Sequence, residues 1–159
     1  MLGPRTTEGA RAPLFDRLTD LDPRSQTEPR PLRTLNRREL RASVRRELER
    51  LLNTRCSIPL PLLYERERSV VDYGIPDFTF LSPQNPDDQR RLAWVLSRTV
   101  AAFEPRLRNV RVTVEGAAQN PRALLVRLDG DLVVESITEP VSFPAVVYDK
   151  TGEVALLDA

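Results

Sequence analysis

The chain has no histidine among its 159 residues, and that absence removes much chemistry at once. A Ser–His–Asp relay has no base, and imidazole-ligated metal sites have no ligand. Cysteine is nearly missing too, since Cys56 stands alone. One thiol makes neither an internal disulfide nor a thiolate zinc site, and here it lacks the usual activating imidazole. Cys56 therefore reads as a small buried apolar side chain. Neither GxxxxGKS/T nor GxGxxG occurs, so phosphate cradles have no support. No apolar run approaches the roughly 18 to 20 residues of a membrane-spanning helix. Met1–Arg11 carries no apolar leader stretch. A cytoplasmic chain without direct membrane insertion is the expectation.

Lysine is also nearly absent: of 24 basic residues, only Lys150 is not arginine. Net charge is +1, but it is unevenly spread. Residues 1–69 hold 15 arginines against 10 acids, and residues 70–159 hold 9 basic residues against 13 acids. An arginine excess can signal a nucleic-acid-binding module. Here the arginines are interleaved with acids, which reads as a solvated helix face, and no nucleic-acid partner is expected.

What is present suffices for one core, with 40% hydrophobic residues. Residues 1–34, with Pro4, Pro13, Pro23, Pro29 and Pro31, read as an extended Pro/Arg-rich arm. Within it Leu14, Phe15, Leu18 and Leu21 fall at helical spacing, so Pro13–Leu21 is a candidate amphipathic helix that needs a surface to dock on. Residues 35–159 read as a single domain. Its first helix spans 36–53: Asn36 is the N-cap, Glu39 completes a capping box, and Leu35 and Leu40 form a hydrophobic staple. Leu40, Val44, Leu48, Leu51 and Leu52 make its apolar stripe. A second helix spans 86–103, with Asn85 as N-cap and Pro86 in the first turn. Its core stripe is Leu92, Val95, Leu96, Val100 and Phe103. Ala93, Trp94, Ala101 and Ala102 make its other faces apolar as well, the pattern of a helix covered on several sides.

Between the helices, Val70–Val71 has the composition of a short strand. Asp72-Tyr73-Gly74-Ile75-Pro76-Asp77-Phe78 reads as a turn with aromatic anchors. After residue 106 the pattern alternates. Val110, Val112 and Val114 mark one strand, and Val141, Phe143, Ala145 and Val147 another, with a last short strand over Val154–Leu157. Leu124, Val126, Leu128, Gly130, Leu132 and Val134 keep one parity, which favours a single long strand with a bulge or bend at Gly130. Asp129-Gly130 as a hairpin turn is the alternative. The fold class is α+β: two main helices packed on a mostly antiparallel sheet of three to four strands, with an N-terminal arm.

Glu104-Pro105-Arg106 stands out. An acid at a helix C-terminus meets the negative end of the dipole, at a cost of about 0.3–1 kcal/mol if exposed. Arg106, across a proline that restrains the backbone, is the natural compensation. The bland reading is a local surface ion pair of little worth.

The ordered set Pro13-Leu14-Phe15-Asp16-Arg17-Leu18, Ser43–Arg55, Ser69–Phe78, Phe103-Glu104-Pro105-Arg106-Leu107, Glu139–Phe143 and Thr151-Gly152-Glu153 resembles TssE, the type VI secretion baseplate subunit family. That family is itself similar to the small baseplate wedge and sheath-initiator protein of contractile phage tails. The resemblance spans roughly residues 12–157. It implies a structural, non-catalytic wedge subunit without cofactor or metal, in a baseplate at the inner face of the bacterial inner membrane. It implies contacts with the TssF and TssG wedge subunits and the TssB–TssC sheath, with TssK and the spike hub as further candidates. The family's EPR motif maps onto Glu104, Pro105 and Arg106. With Leu14, Phe15 and Leu18 of the arm and Asp72, Tyr73 and Asp77 of the turn, these are the expected binding residues.

A lysozyme-like peptidoglycan hydrolase is the competing reading, because Glu104, Asp72, Asp77 and Glu139 could supply a carboxyl pair. A general acid must be protonated near neutral pH, however, and a guanidinium neighbour favours the charged carboxylate. No catalytic residue is assigned.

Overall fold

The computed structural model describes residues 10–18, 23–26, 34–63, 65, 67–134, 137–148 and 151–157. Local signals act first. Strand β1 (Ala10–Arg11) leads into helix α1 (Leu14–Leu18), and strand β2 (Thr34–Leu35) into helix α2 (Arg37–Asn53). At the α2 N-terminus the Asn36 side chain accepts from the Glu39 N–H, and Glu39 accepts from the Asn36 N–H. The staple residues Leu35 and Leu40 are both buried. A one-turn helix α3 (Leu60–Leu63) and a 3-10 turn (Val70–Asp72) follow. Helix α4 (Pro86–Phe103) is capped by Asn85 with proline in its first turn.

Four consecutive strands complete the fold: β3 (Leu107–Ala117), β4 (Asn120–Val134), β5 (Ile137–Tyr148) and β6 (Val154–Leu156). They form one antiparallel sheet in sequential order. One face of this sheet packs against α2 and α4. Leu124, Val126, Leu128, Leu132, Val141, Phe143, Ala145 and Val147 point into the core, where they meet Leu40, Val44, Leu48, Leu92, Leu96 and Val100. The α+β arrangement is the one expected.

The sheet settles the Asp129-Gly130 alternative in favour of one long strand, with β4 running unbroken through both residues. The irregularity lies opposite, on β3. Arg108 faces Asp131 and Arg111 faces Asp129, so Asn109 and Val110 together oppose Gly130. That is a β-bulge, with Asn109 at a left-handed φ of 53°. Gly130 permits it, because a Cβ there would stand 3.1 Å from the Arg108 carbonyl oxygen.

Three expectations are corrected. Val70–Val71 is a 3-10 turn and not a strand, and both valines are exposed. Pairing is withheld from them because Asp72 caps the turn onto Ser69, and the neighbouring parallel bridge joins Arg55 to Ile75 instead. The arginines of α2 are not all solvated. Arg41 donates to the Ser142 carbonyl at 3.2 Å and Arg45 to the Leu156 carbonyl at 2.8 Å, so they tether the helix to the sheet. Finally, α4 is not covered all round among the described residues, since Trp94, Ala101 and Ala102 are exposed.

The described part of the arm is also attached. Ala10 pairs with Leu35 and Arg11 with Thr34, and Ala12 is buried in the core. Of the expected helix over 13–21, residues 14–18 are helical, and Thr19, Asp20 and Leu21 lie outside the described residues.

Gly74 closes the loop that leads into α4. Its φ is 108°, and a Cβ would collide with the Thr54 carbonyl, which accepts the Ile75 N–H at 2.9 Å. Gly74→Ala should therefore destabilise the chain by on the order of 3 kcal/mol. Urea denaturation would check this, and an unchanged midpoint would show that the loop has room that the geometry denies.

Candidate functional site

The corner between α4 and β3 is where the sequence places its most specific motif. Pro105 ends α4, and Glu104 is its C-cap residue. The Glu104 N–H still reaches the Val100 carbonyl at 2.8 Å, and the Leu107 N–H bonds back to the Glu104 carbonyl at 3.0 Å. The chain thus turns from helix to strand within three residues with its backbone groups paired.

Glu104 is 3% exposed. Arg106 meets it as a fork: Nε donates to Oε1 at 2.7 Å and Nη2 to Oε2 at 2.6 Å. The remaining terminal nitrogen, Nη1, donates to the Ser43 hydroxyl at 3.1 Å. Ser43, buried on α2, in turn donates to Asp16 Oδ2 of α1 at 2.7 Å. Arg46 closes the run, donating to Asp16 Oδ1 at 3.1 Å. One connected network therefore joins α1, α2, α4 and β3. The surface-pair reading does not hold at this degree of burial.

The charges follow the geometry. Burial alone would lower the Arg106 pKa, but the hydrogen bonds and charge of Glu104, helped by Glu47 and Asp16, hold it above its ordinary value. Burial likewise opposes the charged form of Asp16. The bonds from Ser43 and Arg46 and the charges of Arg46 and Arg106 outweigh it, so that carboxyl sits below its ordinary 3.8.

The second group of expected residues divides. Asp72 is fully buried, and its Oδ2 accepts the Ser69 N–H at 2.9 Å and the Ser69 hydroxyl at 3.2 Å. Tyr73 is half-buried, its ring edge-on to Phe103 with centroids 5.3 Å apart. Burial, then the charge of Glu47, raises the Tyr73 phenol despite Arg50. Asp77 alone of the three is exposed, and it accepts from the Thr79 N–H and hydroxyl. The residue that organises this loop is Arg68, which has no motif around it. It donates to the Asp72 carbonyl at 2.7 Å, to the Gly74 carbonyl and to the Thr99 hydroxyl of α4, and it lies 4.8 Å from the Phe103 ring centroid.

The third group is α1. Leu14 and Leu18 are 58% and 69% exposed, one helical turn apart. The Phe15 side chain lies outside the described residues. Sequence reading missed Asp16 and Ser43. A signal for Ser43 existed: it sits between Leu40 and Leu48 on the apolar stripe, where a lone hydroxyl implies a buried partner.

Among the described residues no cluster of histidine, cysteine or carboxylate side chains could hold a metal, and no helix is long and apolar enough to cross a membrane. A family model described as baseplate wedge protein gp25 matches residues 38–136. Among solved structures, the chain is similar to a chain of "The baseplate complex from the type VI secretion system", at 24% identity and a TM-score of 0.54. The likeness covers 70% of this chain and 94% of that one, and it is one of fold. No curated protein matches.

Two outcomes are expected at the corner. Arg106→Ala leaves a buried carboxylate unpaired and should cost about 3–5 kcal/mol by urea denaturation. Arg106→Lys should recover only part of that, because a point charge does not reproduce the fork; a loss under about 1 kcal/mol would return the pair to the surface-pair class. The depressed Asp16 carboxyl adds stability that is full above its unfolded value and lost as pH falls below it. Asp16→Asn should thus lose less stability than the parent chain on acidification below the ordinary 3.8, measured as the pH dependence of the urea midpoint.

Proposed function

The chain belongs to the gp25 baseplate wedge family, and from that premise we propose that it is the TssE-like wedge subunit of a type VI secretion baseplate. The observation that carries the reading is the matched span itself: residues 38–136 contain all of α2 but its first residue, α4, β3, β4 and the Glu104–Arg106 corner that locks them together. The subunit is structural. It docks on the TssF–TssG wedge core and initiates the TssB–TssC sheath, with TssK and the spike hub as further neighbours, in a cytoplasmic baseplate at the inner membrane.

Three surfaces support docking. Leu14 and Leu18 present an apolar pair that no described contact buries, on a helix that the Asp16 bonds hold in place. At the corner, Pro105 is exposed and Arg106 keeps a part-exposed edge, with Glu104 as the internal anchor. Asp77 marks the exposed rim of the turn, backed by Asp72 and Tyr73. A rigid mount lowers the ordering cost of association at each. Hydrolysis is disfavoured, because both oxygens of Glu104 are engaged by Arg106, and Asp72 is sealed against Ser69.

Co-purification with the wedge subunits tests the reading. Leu14→Asp with Leu18→Asp should reduce recovery about tenfold, with the melting temperature of the isolated chain unchanged. Equal recovery would remove α1 from the interface, and failure of the parent chain to co-purify would overturn the wedge assignment. Purified chain should also release no muropeptides from peptidoglycan across roughly pH 4 to 8. Release that disappears in Glu104→Gln would make it an enzyme.

A further inference from the structure

The outer side of α4 is apolar where a solvated helix would be polar. Trp94 is 36% exposed, and Ala101 and Ala102 are exposed beyond it. These residues form one wall of a groove of about 230 Å³, and Leu60 and Leu63 of α3 form part of the other. Trp94 and Ala102 are separated by about 12 Å along the helix axis, two turns. The two alanines keep that wall low, so a second backbone can approach closely. A low apolar wall of this kind suits the ridge of a helix laid along it.

Charge identifies the kind of helix. Arg68 and Arg98 line the groove, with Glu67 the one acid among the described lining residues. Arg98 lies 5.7 Å from the Trp94 ring centroid, and Arg91 is exposed about one turn before Trp94 on the same helix. Among the described residues neither Arg91 nor Arg98 has an ion-pair partner. A partner that covered this face without carboxylates would strand their charge in a desolvated interface. Tryptophan and arginine are also the residue types that most often dominate interface energies.

We infer that this groove seats an amphipathic helix of another wedge subunit. Its apolar ridge lies on Trp94, Ala101 and Ala102, and its flanking Asp or Glu side chains meet Arg91 and Arg98. The inference rests on the wedge reading above and adds the chemistry of one partner segment to it. It concerns a face that neither the corner nor α1 occupies.

The test uses the full chain carrying a photo-crosslinking residue at Ala101, co-expressed with the wedge subunits, with crosslinked peptides sequenced from the isolated baseplate. The expected product is a segment with apolar residues three and four apart and acidic flanks. Arg98→Glu should lower its yield about tenfold. If the chain enters the baseplate but Ala101 crosslinks to a basic segment, to a second copy of this chain, to nucleic acid or to nothing, this inference fails and the wedge reading stands. If the unmodified chain never enters a baseplate, the wedge reading fails and takes the inference with it. A second measurement keeps the seat itself falsifiable. Trp94 is the one tryptophan of the chain, so iodide should quench its emission readily in the free subunit. Resistance to quenching would show that the chain already covers its own groove and would overturn the inference.

Discussion

A buried carboxylate is tolerable only when its charge is met, and the fork between Glu104 and Arg106 is the condition on which the rest of this structure depends. Glu104 sits where two penalties add: the negative end of the α4 dipole and removal from water. Arg106 offsets both through paired bonds of 2.7 and 2.6 Å. Pro105 holds the two residues within reach while the backbone leaves the helix. The spare nitrogen of the fork then finds Ser43 on α2, and Ser43 finds Asp16 on α1. A local repair at a helix end thereby sets the relation of four elements.

The same side-chain type does this work elsewhere. Arg41 and Arg45 hold α2 to carbonyls of β5 and β6, and Arg68 holds the Asp72–Gly74 loop to α4. Arg55 bonds the Gly152 carbonyl and lies over the Phe78 ring. Asn53 completes the set, pairing with both backbone groups of Val154 as a strand would. A planar cation with five donors can satisfy carbonyls and cover an aromatic face together, which an ammonium does less well. At Arg41, Arg45, Arg55 and Arg68 the choice of arginine over lysine has a structural explanation in these contacts.

Against this stapled interior, several large apolar side chains are exposed, among them Leu14 and Leu18 on α1 and Trp94 on α4. These two elements are each anchored from behind by a charged or hydroxyl side chain, Asp16 in the first case and Thr99 in the second. For a member of a baseplate wedge family, an anchored apolar surface is the useful kind, because little ordering remains to be done on contact.

The sequence by itself determined the two long helices, the strands of the main sheet and the fold class. Capping of α2 at Asn36 and of α4 at Asn85 acts over two or three residues, and the constant parity from Leu124 to Val134 acts along one strand, so both are legible in spacing. The EPR corner was legible for the same reason, since Glu104 and Arg106 are two residues apart. The tertiary structure alone decided what these elements do to one another. The bond from Arg106 to Ser43 spans 63 residues and that from Ser43 to Asp16 spans 27. The bulge opposite Gly130 arose on the partner strand, where Asn109 gave no alternation signal. Val70 and Val71 had the composition of a strand and found no edge to join. Periodicity reports which face of an element is buried, but not which distant group will lie against it; that is set by packing, and only packing brought the fork, the hydroxyl and the Asp16 carboxylate together.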